Sequence, residues 1–597
     1  MSFMNITEDI HRQFAEYFDE KAIWPYAYLL SQRLTEGNIC ISLDDMHSNL
    51  NTTPYTNAVS AKDLLNYSNL VSKDGVNTTP FILHNDRLYF QRYFKYETSI
   101  IQKLKKLIAA ETSLVADRMK QLELKVKLIQ SLNANYNING LTNKEQVDWQ
   151  MVSVLQALLN NFSIITGGPG TGKTTTLAKL LIVLYELEPD AKVALAAPTG
   201  KASMRMFESL KSSTLPFSIS TKQTIDGLKP STIHSLLGYK KESVNFKYNA
   251  ENPLPYNWVV VDEASMIDVP MFSKLLDALG DNCRIILLGD KDQLASVEAG
   301  SLLGDLCQTL PSLNIFSIKA ASWINDFITD SERKIKPEFI GDQQQLMSSH
   351  IIELKFSHRF NSQGAIGKLS RAVIEGDTEK LKNLIENSAG TNVKIDHQYT
   401  PELLESFVEG YASYIQEADI KTALKKLNEC RVLVAVRQGQ RGLYTTNKLI
   451  ELHLRKKGII RPDGENYEHK PIMVTRNMHD LGLLNGDTGI MRKDDKGNLK
   501  VWFEDGQGGI KSILPAYLNY CETAFAMTIH KSQGSEFDQV MVILPEGISN
   551  ALLTRELLYT GITRARTSIT IQGEMDTIRH SVESCVQRIS GITGRVD

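Results

Sequence analysis

Apolar positions along this chain fall into two repeating textures separated by polar stretches. From about residue 145 to 360, short continuous apolar runs alternate with segments of helical periodicity. The runs are Ser163–Thr166, Val193–Ala197, Trp258–Asp262 and Arg284–Leu288. Strands apolar on both faces and separated by helices predict a parallel sheet covered on both sides. The pattern returns at Arg431–Val436, Gln539–Leu544 and Ser568–Gln572, predicting a second α/β unit over 361–464 and 521–597. Between about 465 and 520 the texture shortens to β-runs broken by Asn485-Gly486-Asp487-Thr488-Gly489 and Glu504-Asp505-Gly506. Such turn sequences predict a small inserted β-barrel.

The start of the chain reads differently. Residues 1–108 mix a helical pattern around Ile23–Leu34 with strand-like pieces at Ile39–Leu43 and Arg87–Phe90, predicting a small α/β or mostly helical docking domain. A charged helical linker is expected over 109–144, approached through Lys103, Lys105 and Lys106 and carrying Arg118, Lys120, Lys125 and Lys127. Asn133 to Asn143 is Asn-rich and predicts a loop. The polar, Gln-rich stretch Glu332–Ser349 predicts a surface insertion.

Composition narrows the class without naming it. A chain of 597 residues exceeds one core and implies about three to five domains. Hydrophobic content of 42% and charged content of 23% describe an ordinary globular protein. No run is apolar for long enough to predict a membrane-spanning helix. The net charge of −3 gives no bulk attraction to nucleic acid, so any basic track must be local. Six scattered cysteines with no C-x-x-C pair argue against zinc or iron–sulfur sites. Met1-Ser2-Phe3-Met4-Asn5 lacks the order of a signal peptide, so a reducing, cytoplasmic setting is expected.

Gly167-Gly168-Pro169-Gly170-Thr171-Gly172-Lys173-Thr174 fits the phosphate-binding P-loop pattern between a strand and a helix. Its amides and the following helix N-terminus would face phosphate oxygens. Lys173 would reach the β- and γ-phosphates of a nucleoside triphosphate, and the Thr174 hydroxyl would hold Mg²⁺. Val259-Val260-Val261-Asp262-Glu263 ends an apolar strand in two carboxylates. Asp262 is placed to bind Mg²⁺ through coordinated water and Glu263 to deprotonate an attacking water, which points to hydrolysis. Gly289-Asp290-Lys291-Asp292-Gln293 ends another strand; alone it is a turn, but after the two carboxylates Gln293 reads as a γ-phosphate sensor. Arg359, Arg564 and Arg566 are candidate arginine fingers, against the ordinary alternative of surface ion pairs.

These elements, in this order, resemble superfamily 1 helicases, most closely the RecD family, the smaller helicase subunit of RecBCD (exonuclease V). Ala196–Ala202, Val261–Asp268, Gly289–Gly300, His530–Phe537 and Tyr559–Arg566 carry the resemblance together with the P-loop through Thr175 and Thr176. It runs strongly over 145 to 575 and more weakly over 20 to 100. It implies two RecA-like motor domains, with the insert an SH3-like barrel and the segment 238–253, with Phe246 and Tyr248, a β-hairpin pin. Gln150 is implied as an adenine contact and Glu536 as a nucleotide contact. Pro198, Thr199, Lys201, Thr232 and His234 in one motor, and Thr528, His530 and Lys531 in the other, are implied to grip single-stranded DNA. The implied activity is ATP- and Mg²⁺-dependent 5′→3′ DNA unwinding in double-strand-break repair and recombination, with RecB-like and RecC-like partners and the nuclease on another subunit. Two other readings stay open: a stand-alone RecD-like helicase, which the short N-terminal region disfavours, and a DNA-stimulated regulatory ATPase that does not unwind.

Overall fold

The computed structural model describes residues 9–55, 59–134, 147–240, 243, 245–296, 298–342, 344–358, 364–386, 392–505, 509–547, 552–586 and 588–596. The N-terminal unit has a four-stranded sheet of β1 (Cys40–Ser42), β2 (Val71–Ser72), β3 (Phe81–His84) and β4 (Arg87–Phe90), in the order β1-β4-β3-β2. β3 and β4 join through Asn85 and Asp86, both at positive φ, the two-residue turn that suits a twisted hairpin. The helix Trp24–Thr35 covers this sheet through Tyr26, Leu29 and Leu30.

The first parallel sheet comprises β5 (Phe162–Thr166), β6 (Val193–Ala197), β7 (Ser231–Thr232), β8 (Trp258–Val261), β9 (Arg284–Gly289) and β10 (Ile351–Glu353). Their order is β10-β5-β9-β8-β6-β7, with every pairing parallel. β5, β6 and β8 are buried throughout, because helices cover both faces. Two apolar clusters result, one on each side of the sheet.

After β11 (Val393–Asp396) and β12 (Cys430–Val434) the chain leaves for an antiparallel unit. That unit contains β13 (Pro471–Val474), β14 (Thr488–Lys493), β15 (Leu499–Glu504), β16 (Ile510–Ile513) and β17 (Cys521–Thr523). The chain then returns as β18 (Ala526–Thr528), β19 (Phe537–Ile543) and β20 (Ala565–Gln572). The second parallel sheet has the order β11-β20-β19-β12-β18. Both sheets are α/β layers with parallel strands, as the hydrophobic pattern predicts.

Several elements differ in detail from the expected picture. The charged segment beginning at Lys103 belongs to a 21-residue helix, Gln91–Glu111. Its inner face buries Phe94, Ile100, Leu104 and Leu107, and the last three of these join the first motor-like core. Its lysines decorate the outer face, where Lys103 Nζ donates to the Leu279 carbonyl (3.1 Å) and Lys106 pairs with Asp281 (2.8 Å). The helices Val115–Glu123 and Val126–Ala134 follow, and Leu122, Ile129 and Leu132 pack into the other cluster. The expected linker is therefore a buttress. Of the Asn-rich loop, residues 135–146 lie outside the described residues. Glu332–Ser349 is not all surface, since Met347 is buried and Arg333 supports the site below. The inserted sheet has the linear order β16-β15-β14-β13-β17, and no hydrogen-bonded pairing between its edge strands closes it among the described residues. In 238–253 the described residues form an isolated Asn249–Asn252 bridge, the Lys247 amide donates to the Gly238 carbonyl (2.9 Å) and the Tyr248 amide to that of Leu237 (3.0 Å), while Phe246 and Tyr248 pack against the core.

The segment 588–596, continuing from the second sheet, crosses back to the first. Ile589 donates its amide to Asn38 Oδ1 (2.8 Å), and its carbonyl accepts from the Ile39 amide (3.2 Å). Ile592 and Val596 enter the first core. Arg595 pairs at 2.7 Å with Glu97, a carboxylate with no exposed surface that also accepts from the Gly591 amide and Tyr89 Oη. Removing one partner of a buried pair leaves an uncompensated charge. Arg595→Ala is therefore expected to cost about 3–5 kcal/mol in a urea titration. A loss typical of an exposed ion pair, below about 1 kcal/mol, would contradict this account.

Candidate functional site

The site begins where β5 ends. Gly170 and Gly172 take φ of +79° and +87°, and the helix Lys173–Leu187 starts directly behind them. A side chain at Gly172 is excluded twice, because a Cβ there would lie 2.1 Å from Gln150 Nε2 and the backbone is left-handed. Lys173 Nζ donates to the Gly167 carbonyl (2.6 Å), and Thr171 Oγ1 donates to that of Gly168 (2.8 Å). Outside groups hold the loop. Gln150 Nε2 donates to the Thr171 carbonyl (3.1 Å), Ser357 Oγ to that of Pro169 (2.9 Å), and the His358 amide to that of Gly170 (2.8 Å).

Gln150 is itself positioned from behind. Asp148 caps the helix Trp149–Leu159 by accepting from the Met151 amide, and its other oxygen pairs with Arg333 at 2.6 Å. Nothing in the polar stretch around Arg333 announces this contact, which spans 185 positions of sequence. Ser357, His358, Arg205 and Asp290 were likewise missed, although Ser357 and His358 directly precede Arg359 and Asp290 stands in the Gly289–Gln293 motif.

Next to the loop, β8 ends at Asp262 and Glu263. Glu263 is a non-glycine residue at φ +52°, a strain that rigid surroundings must hold. Its amide donates to Asp262 Oδ1 at 2.8 Å. Desolvation in the cleft, with the Glu263 charge beside it, pushes the Asp262 carboxyl up to about 6. Asp290 after β9 is also raised to about 6 by burial. It accepts from Gln293 Nε2 (3.0 Å), while Gln293 Oε1 is buried with no partner among the described residues.

A cleft of about 670 Å³ joins the two sheets. Lys173, Thr174, Asp262, Glu263 and Gln293 line it from the first, and Glu536 and Arg564 from the second. Thr175 lines it as well, behind the loop. Arg564 is buried and donates to the carbonyls of Thr560 (3.0 Å) and Ser535 (3.1 Å). Glu536 sits 3.8 Å from Arg205 and 3.4 Å from Arg566. Arg359 lies outside the described residues.

The remaining predicted residues gather at the carboxyl ends of parallel strands. Ala197 and Thr232 are paired between β6 and β7, so Pro198, Thr199 and Lys201 lie beside Thr232 and His234. Thr199 and Thr232 cap the helices Gly200–Lys211 and Ile233–Leu237. His234 is exposed, edge-on to Phe246 at 5.8 Å. In the second sheet, Thr528 Oγ1 accepts from the Lys531 amide (3.3 Å), and His530 is half-buried. A turn of the inserted sheet reaches both groups: Leu484 packs over Gly200, and Lys531 Nζ donates to Asn485 Oδ1 at 2.8 Å.

Comparison with known proteins accords with this geometry. Residues 150–299 match the AAA domain model, 523–571 the UvrD-like helicase C-terminal domain, and 5–89 the N-terminal domain of RecBCD enzyme subunit RecD. The paired α/β units and these matches define a superfamily 1 helicase. The RecBCD enzyme subunit RecD of Haemophilus influenzae is 33% identical over 98% of this chain and 94% of its own length. The chain belongs to the RecD family. The Mycolicibacterium smegmatis RecD subunit is 35% identical over 75% of this chain and 74% of its own. A structure of Bacteroides Pif1 bound to single-stranded DNA aligns at 16% identity and TM-score 0.36, covering 72% of this chain and 93% of that one.

Gly172→Ala should keep the fold, since the loop lies at the cleft, yet displace Gln150. KM for ATP is expected to rise at least about tenfold, because a left-handed alanine alone costs ~1 kcal/mol before the clash is added. An unchanged KM would show that the approach of Gln150 can relax freely.

Proposed function

We propose that this chain is an ATP-driven 5′→3′ DNA helicase and the motor subunit of a RecBCD-type helicase–nuclease with RecB-like and RecC-like partners, working in the cytoplasm on broken DNA ends. The observation that carries this reading is the shared cleft. A P-loop, a strand-end Asp-Glu pair and a glutamine from one sheet face an arginine from the other, so nucleotide turnover there can open and close the gap between the sheets.

Each side chain takes a role from its chemistry. Lys173, amides of the loop and the N-terminus of the following helix hold phosphates, and Thr174 with Asp262 would hold Mg²⁺, for which hydroxyl and carboxylate oxygens are suitable hard donors. When bound, the cation offsets the charge of the phosphates. Glu263 accepts a proton from the attacking water. Gln293 senses the γ-phosphate, and Arg359 and Arg564 stabilise negative charge as it spreads. Gln150 faces the adenine, and Glu536 contacts the nucleotide.

The strand lies over Pro198, Thr199, Lys201, Thr232 and His234 in one motor and over Thr528, His530 and Lys531 in the other. Burial and the nearby Arg205 lower the Lys201 ammonium's affinity for its proton, and a strand phosphate would restore it. Local grips of hydroxyls, amides and a few cations need no large net charge, which reconciles strand binding with −3 overall. The domains are a docking unit over 1–108, a helical connection over 109–144, a first motor over 145–360, and a second over 361–464 and 521–597. The insert at 465–520 is read as an SH3-like barrel, and 238–253 as a β-hairpin pin.

Lys173→Gln is expected to lower DNA-dependent ATP hydrolysis by at least about a hundredfold. Glu263→Gln should bind ATP with parent affinity and lose turnover by about 10²–10⁴; loss of binding would remove Glu263 from the base role. The purified chain should open duplexes with a 5′ overhang and leave 3′-overhang substrates intact; the reverse preference would overturn the polarity. Native co-purification should yield two larger partners. An active lone species of 67.0 kDa would favour the stand-alone reading.

A further inference from the structure

The loop that carries Gln293 is held from across the cleft by three side chains of the second sheet. Tyr559 Oη donates to Asp290 Oδ2 at 3.2 Å, the same oxygen that accepts from Gln293 Nε2 at 3.0 Å. One residue further on, the Leu294 amide donates to Thr560 Oγ1 (3.0 Å), and the Leu294 carbonyl accepts from Gln533 Nε2 (2.9 Å). Both backbone groups of Leu294 are thus committed to the other sheet. Tyr559 and Thr560 lie on the helix Arg555–Ile562, and Gln533 directly follows the turn His530–Ser532. Tyr559 also closes on the phosphate loop: a Cβ on Gly168 would lie 2.7 Å from its hydroxyl, so a side chain there would displace Tyr559.

This arrangement fixes which way the Gln293 amide points. An amide carries donors on nitrogen and an acceptor on oxygen, and neighbours alone decide its orientation. One of the two Nε2 hydrogens of Gln293 is committed to Asp290, and Oε1 is buried with no partner among the described residues, in a side chain that lines the cleft. The Asp290 carboxylate is steadied in turn by the Asp292 amide (3.1 Å) and by Tyr559. We propose that Tyr559, Thr560 and Gln533 are positioning residues that clamp the Asp290–Leu294 loop, orient the Gln293 amide only while the second sheet is seated, and transmit its displacement to the grip loop Thr528–Lys531. The proposal rests on the motor function above and names the coupling within it.

Tyr559→Phe removes only the hydroxyl and tests the clamp directly. ATP hydrolysis would be measured with and without oligothymidine, and oligothymidine affinity with ADP and with a non-hydrolysable ATP analogue. The expected result is a KM for ATP within about twofold of the parent and a DNA-stimulated kcat lower by about tenfold. The difference in strand affinity between the two nucleotide states should collapse as well. Gln533→Met should behave alike, and the double variant should lose no more than the worse single one, since both open one clamp. Parent-like stimulation in both variants, additive losses, or a KM for ATP that rises in step with the fall in kcat would each overturn the proposal. Lys173→Gln runs alongside: if the parent itself shows no DNA-stimulated turnover above that control, the motor reading fails and the clamp falls with it.

Discussion

The cleft depends on how closely side chains approach the backbone of the phosphate loop. Gln150 presses against Gly172, Tyr559 against Gly168, and Ser357 and His358 donate to carbonyls between them. These groups come from the helix before β5, from the exit of β10 and from the second sheet. A loop of glycines gains a single conformation only when its surroundings impose one, because its own backbone entropy opposes order. Here the surroundings include the other half of the molecule, so the geometry that receives phosphate is partly a property of domain closure.

The supports behind that loop form a chain of polar contacts taken out of water. Asp148 is almost wholly buried yet paired with Arg333 and bonded to a helix N-terminus, so its charge is offset where isolated burial would be costly. The carboxyls of Asp262 and Asp290 accept hydrogen bonds, but among the described residues no ion pair holds either, and burial raises both.

Much of this was legible in the sequence, for a physical reason. Strands buried on both faces must be apolar at every position, so Val193–Ala197 and Trp258–Val261 stand out without any partner being known. The phosphate loop is legible because chemistry forces its residue types at fixed spacing. The helix Gln91–Glu111 was misread because its lysines are conspicuous, while its buried stripe at Ile100, Leu104 and Leu107 is ordinary amphipathic spacing. β7 and β10, of two and three residues, are too short for any period to register. Arg333, Tyr559 and Gln533 act through partners far away in the chain. No local pattern carries such information, which arises only once both sheets exist.

That dependence on the whole extends to how the chain reaches its native state. The segment 588–596 completes an interface with residues 37–40 and Glu97, and the Cys40–Ile589 contact spans 549 positions. Contacts at such separation form late, after the loops between them have already been ordered. The N-terminal unit can build its own sheet early, yet its seat against the first motor stays open at Ile39, Asn38 and Glu97 until the second motor has folded and delivered the closing segment. During synthesis, that unfinished seam is a stretch of unsatisfied backbone and an unpaired carboxylate, a place where a chaperone or an assembling subunit would find the molecule still incomplete.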